Sequence, residues 1–476
     1  MSFKYINQND SKSLSNLKYK LSKNHARQMG FLEDFFAILQ RQKMYKSFFV
    51  MCKYNEKIDD FKILFHSLRL LILKFPILAS TIITQNVPIN IKPRPYDYIQ
   101  IIDEIKFNDL VWDLRPEYSN LLQEDLLNKL NDLIIPYEDN KLVWRLGILD
   151  DYTLIFITNH VLHDGISGKN IFNELSLIFN QLDLDSLSDD DDIVFNYSQD
   201  HLNLGELPKP ITDLMNHIPS IKSLPRYIYN SLIEPKLFCS STLIQGHLKN
   251  IHYRVNINPM ELLKIKSLLS KNSFNNVKLT LTPFIQSIWN YTLYQDEYYK
   301  SSKSLLGIAV DSRQFINKDE QDLYKFGLNV SGFSKISKPM KLITWNKINQ
   351  INQDLKISLK LKKPLYSMGI LGWDKMIKNK HLDVDLPKIM NKRTGSTFSN
   401  IGIILNNSES NDKFQIIDAM FTQHFNVHFY DFSITAISTM TGGLNIIITS
   451  PESIGIENLE RICKKFHENL VLCDIK

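Results

Sequence analysis

Apolar positions along the chain recur at two different spacings, and together they predict a mixture of helices and strands. Apolar residues that recur three and four positions apart predict helices at 31–42, 57–75, 121–133, 166–182, 259–269, 282–294, 340–359 and 456–472. Alternating or unbroken apolar runs predict strands at 45–54, 79–84, 99–105, 143–149, 154–157, 251–257, 305–310, 324–333, 398–405, 425–430, 433–440 and 444–449. Because helices and strands interleave in both halves, the expected class is α/β or α+β with mixed sheets.

The chain is too long for a single core, because 476 residues exceed the size at which one hydrophobic core stops growing. We predict a polar leader at 1–22, an N-terminal domain at 23–200, a crossover linker at 201–248 and a C-terminal domain at 249–476. Prolines punctuate the predicted linker. Leu14, Leu17 and Leu21 share one face of a leader helix, which either docks on the core or lies weakly on a membrane surface.

Composition removes several classes of function from consideration. The formal net charge is only +5 and no basic cluster with interleaved aromatics occurs, so nucleic acid is not an expected partner. The four cysteines form no Cys-x-x-Cys pair, so neither a metal site nor a redox site is predicted. Without a secretory signal or a run of about 18 apolar residues, an intracellular, cytoplasmic location is expected.

One stretch, 153–168, combines a strand, a histidine-containing loop and a helix. The apolar residues 154–157 bring His160 just past the strand end, and Asp164 and Gly165 follow it in the loop. Imidazole presents an unprotonated nitrogen near neutral pH, so His160 is interpreted as the general base of an acyl transfer. Asp164 would shape the turn through backbone hydrogen bonds or pair with a distant arginine, and Gly165 would admit close approach of backbone or substrate.

Other interpretations of these histidines stay open. His160 would in the simplest case only cap a turn, and His163 is interpreted as a loop or core residue. His381 and Asp385 repeat the spacing, but no strand precedes them and no glycine follows, which indicates a coincidental surface pair. The chain lacks the G-x-S-x-G, G-x-G-x-x-G, P-loop and H-E-x-x-H motifs, so serine hydrolase, dinucleotide, NTPase and zinc-protease chemistry are not supported.

Seven segments in the right order resemble the yeast alcohol O-acetyltransferases, within the superfamily of CoA-dependent acyltransferases. They lie at 25–48, 143–149, 158–168, 282–289, 311–333, 393–405 and 442–450 and are spread over most of the chain. The superfamily includes plant BAHD enzymes, carnitine and chloramphenicol acetyltransferases, and peptide-synthetase condensation domains. The D-F-G-W-G motif of the plant enzymes is absent, which argues against a plant-type member.

The resemblance implies two pseudo-symmetric domains of a chloramphenicol acetyltransferase-like fold that meet along a central tunnel. His160 would lie in mid-tunnel, with acetyl-CoA entering one mouth and the acceptor the other, and no cofactor would be bound permanently. Asp164 would pair with an arginine, for which Arg313, beside Asp311 in the DSRQ segment, is the candidate. By the same resemblance, the residues expected to contact CoA or the oxyanion are Ser399, Asn400 and Gly402, whereas Asn329 would pack the fold.

The acceptor is left open by this resemblance. The same histidine would serve the hydroxyl of a short-chain alcohol or a sterol, or the amine of a long-chain sphingoid base. A third alternative is an acyltransferase fold that binds ligands without turnover. A monomer is expected. Peripheral contact with the endoplasmic reticulum or lipid droplets, which terminal amphipathic helices provide in the best-known members, also stays open.

Overall fold

The computed structural model describes residues 11–58, 60–85, 96–121, 123–183, 192–222, 224–239, 249–274, 277–296, 303–369, 393–405, 412–425, 429–472 and 475. The strands are β1 (Ala26–Gln28), β2 (Tyr45–Tyr54), β3 (Ser80–Gln85), β4 (Tyr96–Ile101), β5 (Glu104–Lys106), β6 (Val111–Asp113), β7 (Trp144–Asp150), β8 (Thr153–Thr158), β9 (Ile193–Asn196), β10 (Asn250–Ile257), β11 (Ser304–Asp311), β12 (Val330–Ser337), β13 (Arg393–Ile403), β14 (Ile416–Phe425), β15 (Tyr430–Thr439) and β16 (Gly443–Pro451). The longer helices are Ser11–Ser22, Phe31–Arg41, Phe61–Lys74, Gln123–Lys129, Gly165–Gln181, Pro259–Lys271, Leu281–Gln295, Trp345–Lys360, Lys363–Gly369 and Ile456–Leu472. Short helical segments lie at Phe107–Leu110, Arg115–Tyr118, Tyr197–Asp200, Leu224–Ile228 and Glu234–Phe238.

Two mixed sheets organise the two halves of the chain. The first has the strand order β14-β2-β8-β7-β6, and the second has the order β10-β16-β15-β13-β11-β12. Most neighbouring strands are antiparallel, but β13 runs parallel to β11 and β15, and β6 runs parallel to β7. Smaller sheets join β1-β4-β3 and β5-β9. The predicted class, α/β with mixed sheets, is confirmed.

One strand from the second half of the chain belongs to the sheet of the first half. β14 pairs antiparallel with β2, with Phe421 opposite Val50. No strand is predicted before residue 425 in this region, because polar residues such as Asp418 interrupt the apolar pattern. Arg254 and Asn445 donate to the Asp418 carboxylate at 3.0 and 2.7 Å, which allows it to lie within the sheet. The division into domains at 23–200 and 249–476 stays a prediction, and β14 departs from it.

Hydrophobic side chains from both halves form one cluster beneath the helix Gly165–Gln181. The first half contributes residues of β2, β8 and this helix, and the second half contributes residues from β13 and β14. Buried members of the cluster include Val50, Phe156, Ile171, Phe172, Phe326, Ile401 and Phe421. The start of the helix is therefore held between the two halves by dry packing, which fixes the loop that precedes it.

Two helices begin at a different residue from the predicted one. The helix predicted at 57–75 begins at Phe61, because the Asp60 carboxylate accepts a backbone N–H of its first turn at 2.8 Å. The helix predicted from residue 282 begins at Leu281 after Thr280. Pro283 therefore occupies the third helical position.

The segment predicted as a strand at 324–333 is a strand only from Val330 onward, as β12. Residues 324–329, here called the buttress loop, instead pack on the helix Gly165–Gln181. Side chains of that helix and of Arg313 bind the backbone groups of the loop. A strand-like sequence pattern cannot reveal this arrangement, because the partners are side chains distant in sequence.

The predicted leader contains the helix Ser11–Ser22, which docks on the first half. Leu17 is 1% exposed and packs with Ala26, Ile83 and Tyr98. The Lys20 ammonium is buried and pairs with the carboxylate of Asp103. These contacts favour the docked helix over the membrane-surface helix. No helix in the described part of the chain is long and apolar enough to cross a membrane.

Candidate active site

The loop that carries His160 leaves the middle of the first sheet. β8 lies between β2 and β7 and ends at Thr158, so the loop begins at the end of a strand that is hydrogen-bonded on both sides. The helix Gly165–Gln181, here called the motif helix, closes the loop. Asp164 is its N-cap, and its carboxylate accepts the backbone N–H of Ser167 at 2.8 Å. The strand and the cap thus hold both ends of the loop.

A hydrogen bond to the backbone of His163 orients the His160 ring. Its Nδ1 lies 2.9 Å from the carbonyl oxygen of His163, and because a carbonyl only accepts, Nδ1 carries the proton in the neutral ring. The other nitrogen, Nε2, then has a free lone pair. Ring centroids of Phe36, Phe48 and Tyr45 lie 4.5, 5.0 and 5.9 Å from that of the imidazole. Aromatic side chains therefore surround the imidazole whose Nε2 is unprotonated.

Burial keeps this imidazole neutral. His160 is only 6% exposed, and desolvation lowers its pKa to about 4, against the opposing effects of the Asp164 charge and the hydrogen bond to His163. Near neutral pH almost every His160 ring is consequently unprotonated at Nε2. The arrangement can accept a proton from a substrate and can do so without first losing one to solvent.

The Asp164 carboxylate is saturated by donors from the second half of the chain. Arg313 Nη1 donates to Oδ2 at 2.9 Å and Nη2 donates to Oδ1 at 3.2 Å, and the backbone N–H of Asn329 also donates to Oδ2 at 2.9 Å. Burial by itself raises the pKa of Asp164, but the Arg313 guanidinium and the Ser167 donors outweigh it and hold the pKa below its usual value. The carboxylate therefore stays charged and points at Arg313.

Arg313 connects this carboxylate to Asp311 and to the buttress loop. Its Nη1 donates to Oδ1 of Asp311 at 3.0 Å, and its Nε donates to the carbonyl oxygen of Tyr324. The guanidinium is buried, which opposes its charge, yet Asp164 and Asp311 together raise the pKa of Arg313. The structure thus brings together the three charged residues that the sequence predicts as partners. Asp164, Arg313 and Asp311 form an ion-pair network that joins the loop to the second half of the chain.

The motif helix and its N-cap carry a polar stripe, of which sequence analysis predicted only Asp164. Four residues spaced three, three and four apart face the buttress loop: Asp164, Ser167, Asn170 and Glu174. The Ser167 hydroxyl accepts the N–H of Gly327 at 3.1 Å, and Asn170 donates to the carbonyl oxygen of Lys325 at 2.8 Å. The signal that could have found them is this spacing, which sets a polar side against the apolar side of the helix.

Gly165 is needed for packing rather than for backbone freedom. A Cβ atom at Gly165 would lie 2.8 Å from Cγ2 of Ile401 and 2.9 Å from Cζ of Phe421. The sequence predicts close approach of backbone or substrate here. The observed neighbours are instead two side chains of the second half, which come near enough only because the glycine has no side chain. The expectation of a close backbone neighbour is corrected accordingly, and close approach of a substrate stays a prediction.

The other candidate segment lies on β13. Asn400 Nδ2 donates to the Thr282 hydroxyl at 3.3 Å, and Asn400 Oδ1 accepts the N–H of Gly402 at 2.9 Å. Gly402 has a φ of +81°, and the pairing of β13 with β15 shifts register between Asn400 and Ile403. The Ser399 side chain is half-buried. Within the described residues, none of the hydrogen bonds of this segment reaches His160.

The other described candidates have structural roles. His163 is fully buried against the edge of Phe156, and burial lowers its pKa to about 3. Asn329 Nδ2 donates to the carbonyl oxygen of Tyr324 at 2.9 Å and so braces the buttress loop. His381 and Asp385 lie outside the described residues. No group of three or more His, Cys, Asp or Glu side chains that could hold a metal ion occurs in the described chain.

The overall fold defines the class of protein. TRI3 trichothecene 15-O-acetyltransferase from Fusarium sporotrichioides matches 94% of this chain and 95% of its own, with a TM-score of 0.65 and 12% identity. A variant of the starter condensation domain of rhizomide synthetase RzmA, solved in complex with C8-CoA, matches with a TM-score of 0.58 and 12% identity, over 96% of both chains. The fold is therefore that of the CoA-dependent acyltransferases and condensation domains.

The sequence comparison narrows this class to one family. The profile of the alcohol acetyltransferase family matches residues 28–470, so the chain belongs to that family. Alcohol O-acetyltransferase 2 and alcohol O-acetyltransferase 1 of Saccharomyces cerevisiae are each 27% identical to it over 94% of this chain, and the matches cover 96% and 95% of those relatives. The predicted family is confirmed, and the chain is an acyltransferase.

Proposed function

We propose that this protein transfers an acetyl group from acetyl-CoA directly to the hydroxyl of an alcohol, with His160 as general base. The observation that carries the proposal is the hydrogen bond of His160 Nδ1 to the carbonyl oxygen of His163. It assigns the proton to Nδ1, so that Nε2 is free to accept the proton of an attacking hydroxyl.

The proposed reaction needs no covalent acyl-enzyme. As the alcohol oxygen attacks the thioester carbonyl carbon, a C–O bond forms and the hydroxyl proton moves to Nε2 of His160. Collapse of the tetrahedral intermediate breaks the C–S bond, and the imidazolium returns the proton to the CoA thiolate. The acetate ester and CoA leave. The charge of Asp164 raises the pKa of His160, so it favours the imidazolium that exists between the two proton transfers.

The oxyanion of the tetrahedral intermediate requires a hydrogen-bond donor, which we assign to the β13 segment. Asn400 is held by Thr282 and Gly402, whereas the Ser399 hydroxyl makes no hydrogen bond to a described residue. Ser399 is therefore the better donor to CoA or the oxyanion, and Asn400 and Gly402 shape the strand beside it.

The aromatic surroundings of His160 support an apolar acceptor. Phe36, Tyr45 and Phe48 line the ring, and the first two lie on different elements, the helix Phe31–Arg41 and β2. We propose that acetyl-CoA and the alcohol approach His160 from opposite mouths of a tunnel between the two halves, in a monomer. A sterol is the larger alternative alcohol, and a sphingoid amine is the alternative nucleophile.

Thiol release from acetyl-CoA tests the proposed function. Purified protein is assayed with isoamyl alcohol, a sterol and a sphingoid base, and the same assays are run on His160→Ala and on the control His467→Ala, which removes an imidazole from the closing helix Ile456–Leu472. Release with an alcohol that is abolished only in His160→Ala is the expected result. Calorimetric binding of CoA by His160→Ala shows that the variant is folded.

Two outcomes would overturn the proposal in different ways. Release only with the sphingoid base would assign N-acetylation instead of O-acetylation. Equal rates of CoA release from the wild type and His160→Ala would remove His160 from the chemistry, whatever the acceptor.

A further inference from the structure

Lys169 is a partly buried cation beside the candidate site that no described residue pairs with. It lies on the motif helix, one turn after Gly165, and it makes neither a hydrogen bond nor an ion pair within the described chain. Lys74 and Lys325, which flank the same helix, both pair with the Glu174 carboxylate. Lys169 therefore differs from its neighbours in having no counterion of its own.

The nearby carboxylates are already engaged. Asp311 and Asp164 act on the Lys169 ammonium through space, but both are bonded to Arg313. Burial lowers the pKa of Lys169, and the charge of Arg313 adds to that lowering. A partly desolvated ammonium without a carboxylate is unfavourable unless another anion approaches it.

Space for such an anion exists at Gly402. The Lys169 Nζ lies 3.8 Å from the position that a Cβ atom on Gly402 would occupy, and apart from chain neighbours no other described heavy atom lies within 4 Å of that position. Gly402 has a positive φ, and the pairing of β13 with β15 shifts register beside it. The Lys169 ammonium, from the first half of the chain, thus lies close to Gly402, from the second half, where no side chain fills the space.

We propose that Lys169 binds a phosphate group of the acyl-CoA co-substrate in the space beside Gly402. The assignment rests on the proposed function, in which acyl-CoA is the anionic reactant and the alcohol carries no charge. A lysine ammonium acts as a point charge towards phosphate, which suits a flexible ligand that presents several equivalent oxygens. Lys169 would therefore contribute to acyl-CoA affinity and leave the chemical step to other residues.

Thioesters with and without phosphate groups test this role. Steady-state constants are measured for acetyl-CoA and for S-acetylpantetheine with the wild type, Lys169→Gln, Lys169→Arg and the control Lys266→Gln, which removes an exposed charge from the helix Pro259–Lys271. Lys169→Gln is expected to raise KM for acetyl-CoA about tenfold, with kcat within about twofold. KM for S-acetylpantetheine should not change, Lys169→Arg should restore most of the affinity, and Lys266→Gln should behave as the wild type.

An unchanged KM for acetyl-CoA in Lys169→Gln would overturn the proposal, and so would an equal rise for both thioesters, because that indicates a structural defect. Calorimetric binding of CoA and of pantetheine separates this result from a failure of the proposed function. If no acceptor is acetylated, selective loss of CoA affinity in Lys169→Gln would still support the phosphate site. Unaltered CoA affinity would reject it.

Discussion

His160 and Asp164 lie four residues apart in one loop, yet their surroundings are opposite. One hydrogen bond and three aromatic rings surround His160, and burial lowers its pKa to about 4. Asp164 instead receives backbone N–H groups and a guanidinium, and these donors keep it charged despite burial. Desolvation acts on both groups, but only Asp164 has enough partners that stabilise its charged form to overcome it.

Under the proposed mechanism, this difference separates a reactive residue, His160, from a supporting one, Asp164, within a single motif. A base must be able to exchange its proton with substrate, so few partners can be attached to its reactive nitrogen. A residue that joins two halves of a chain must be bonded completely, because an unpaired buried charge is costly. In the proposed mechanism, the loop therefore combines a proton-accepting nitrogen on His160 with a fully hydrogen-bonded carboxylate on Asp164.

Replacing His160 should have the largest effect on activity and a small effect on stability. His160→Ala is expected to lower kcat by about a thousandfold, in the range for loss of a general base. The melting temperature should change by only a few degrees, since one hydrogen bond and the ring packing are lost. Circular dichroism and thiol-release kinetics measure the two quantities. A variant that unfolds would be replaced by His160→Gln, and retention of full activity in either would contradict the assignment.

Breaking the Asp164–Arg313 pair should mainly affect stability. Asp164→Asn or Arg313→Met is expected to lower the free energy of unfolding by about 3–5 kcal/mol, because each leaves a buried partner unpaired. The double variant should lose much less than the two single losses together. Urea unfolding of the three variants measures the coupling.

Asp311→Asn serves as the comparison variant for this network, because its side chain is 35% exposed and its loss should be smaller. Additive losses in the Asp164 and Arg313 variants would show that the two residues do not act as a pair.

Adding one methyl group at Gly165 tests the packing beneath the loop. Gly165→Ala is expected to destabilise the protein by roughly 1–3 kcal/mol, because Ile401 and Phe421 must move. Gly205→Ala is the control, since the nearest atom to a Cβ there belongs to Pro76 at 3.8 Å. Thermal unfolding compares the stabilities of the two variants. Equal stabilities would mean that Ile401 and Phe421 can move aside without destabilising the protein.

Replacing Ser167 should have the smallest effect on the stability and the activity of the protein. Ser167→Ala removes a hydroxyl that bonds Asp164 and the buttress loop, and a loss of about 1–2 kcal/mol is expected. The rate should fall less than tenfold, because His160 keeps its own hydrogen bond. Ser176→Ala on the same helix, whose hydroxyl lies 3.4 Å from the Tyr54 hydroxyl, is the matched control. A rate loss of more than about tenfold in folded Ser167→Ala would contradict the supporting role of the stripe.

Local features of the site could be predicted from the sequence, and distant ones could not. The strand, the loop and the first turn of the helix around His160 lie within 153–168, where apolar spacing reports structure directly. Arg313 follows only from resemblance to a family. The contacts of Gly165 with Ile401 and Phe421, the buttress loop and the placement of β14 depend on pairings between the two halves, and no local periodicity encodes a partner more than a hundred residues away.

Burial is proposed to keep His160 neutral so that it can act as the base, and the pH dependence of the reaction distinguishes this role from that of a histidine with an ordinary pKa. The measurement is single-turnover acetyl transfer after brief pH jumps from pH 8 to pH 4, with circular dichroism to confirm that the fold persists. In the proposed mechanism the neutral ring is the active form, so the rate should fall only as pH decreases through the His160 pKa of about 4.

The fold check is necessary because the unfolded chain, with a histidine pKa near 6.5, binds protons at a higher pH than the folded one, so stability declines as pH falls below that value. The expected rate is level from pH 8 to about pH 5, with an acid limb near pH 4. An acid limb near pH 6.5 in folded protein, or no acid limb at all, would contradict the claim.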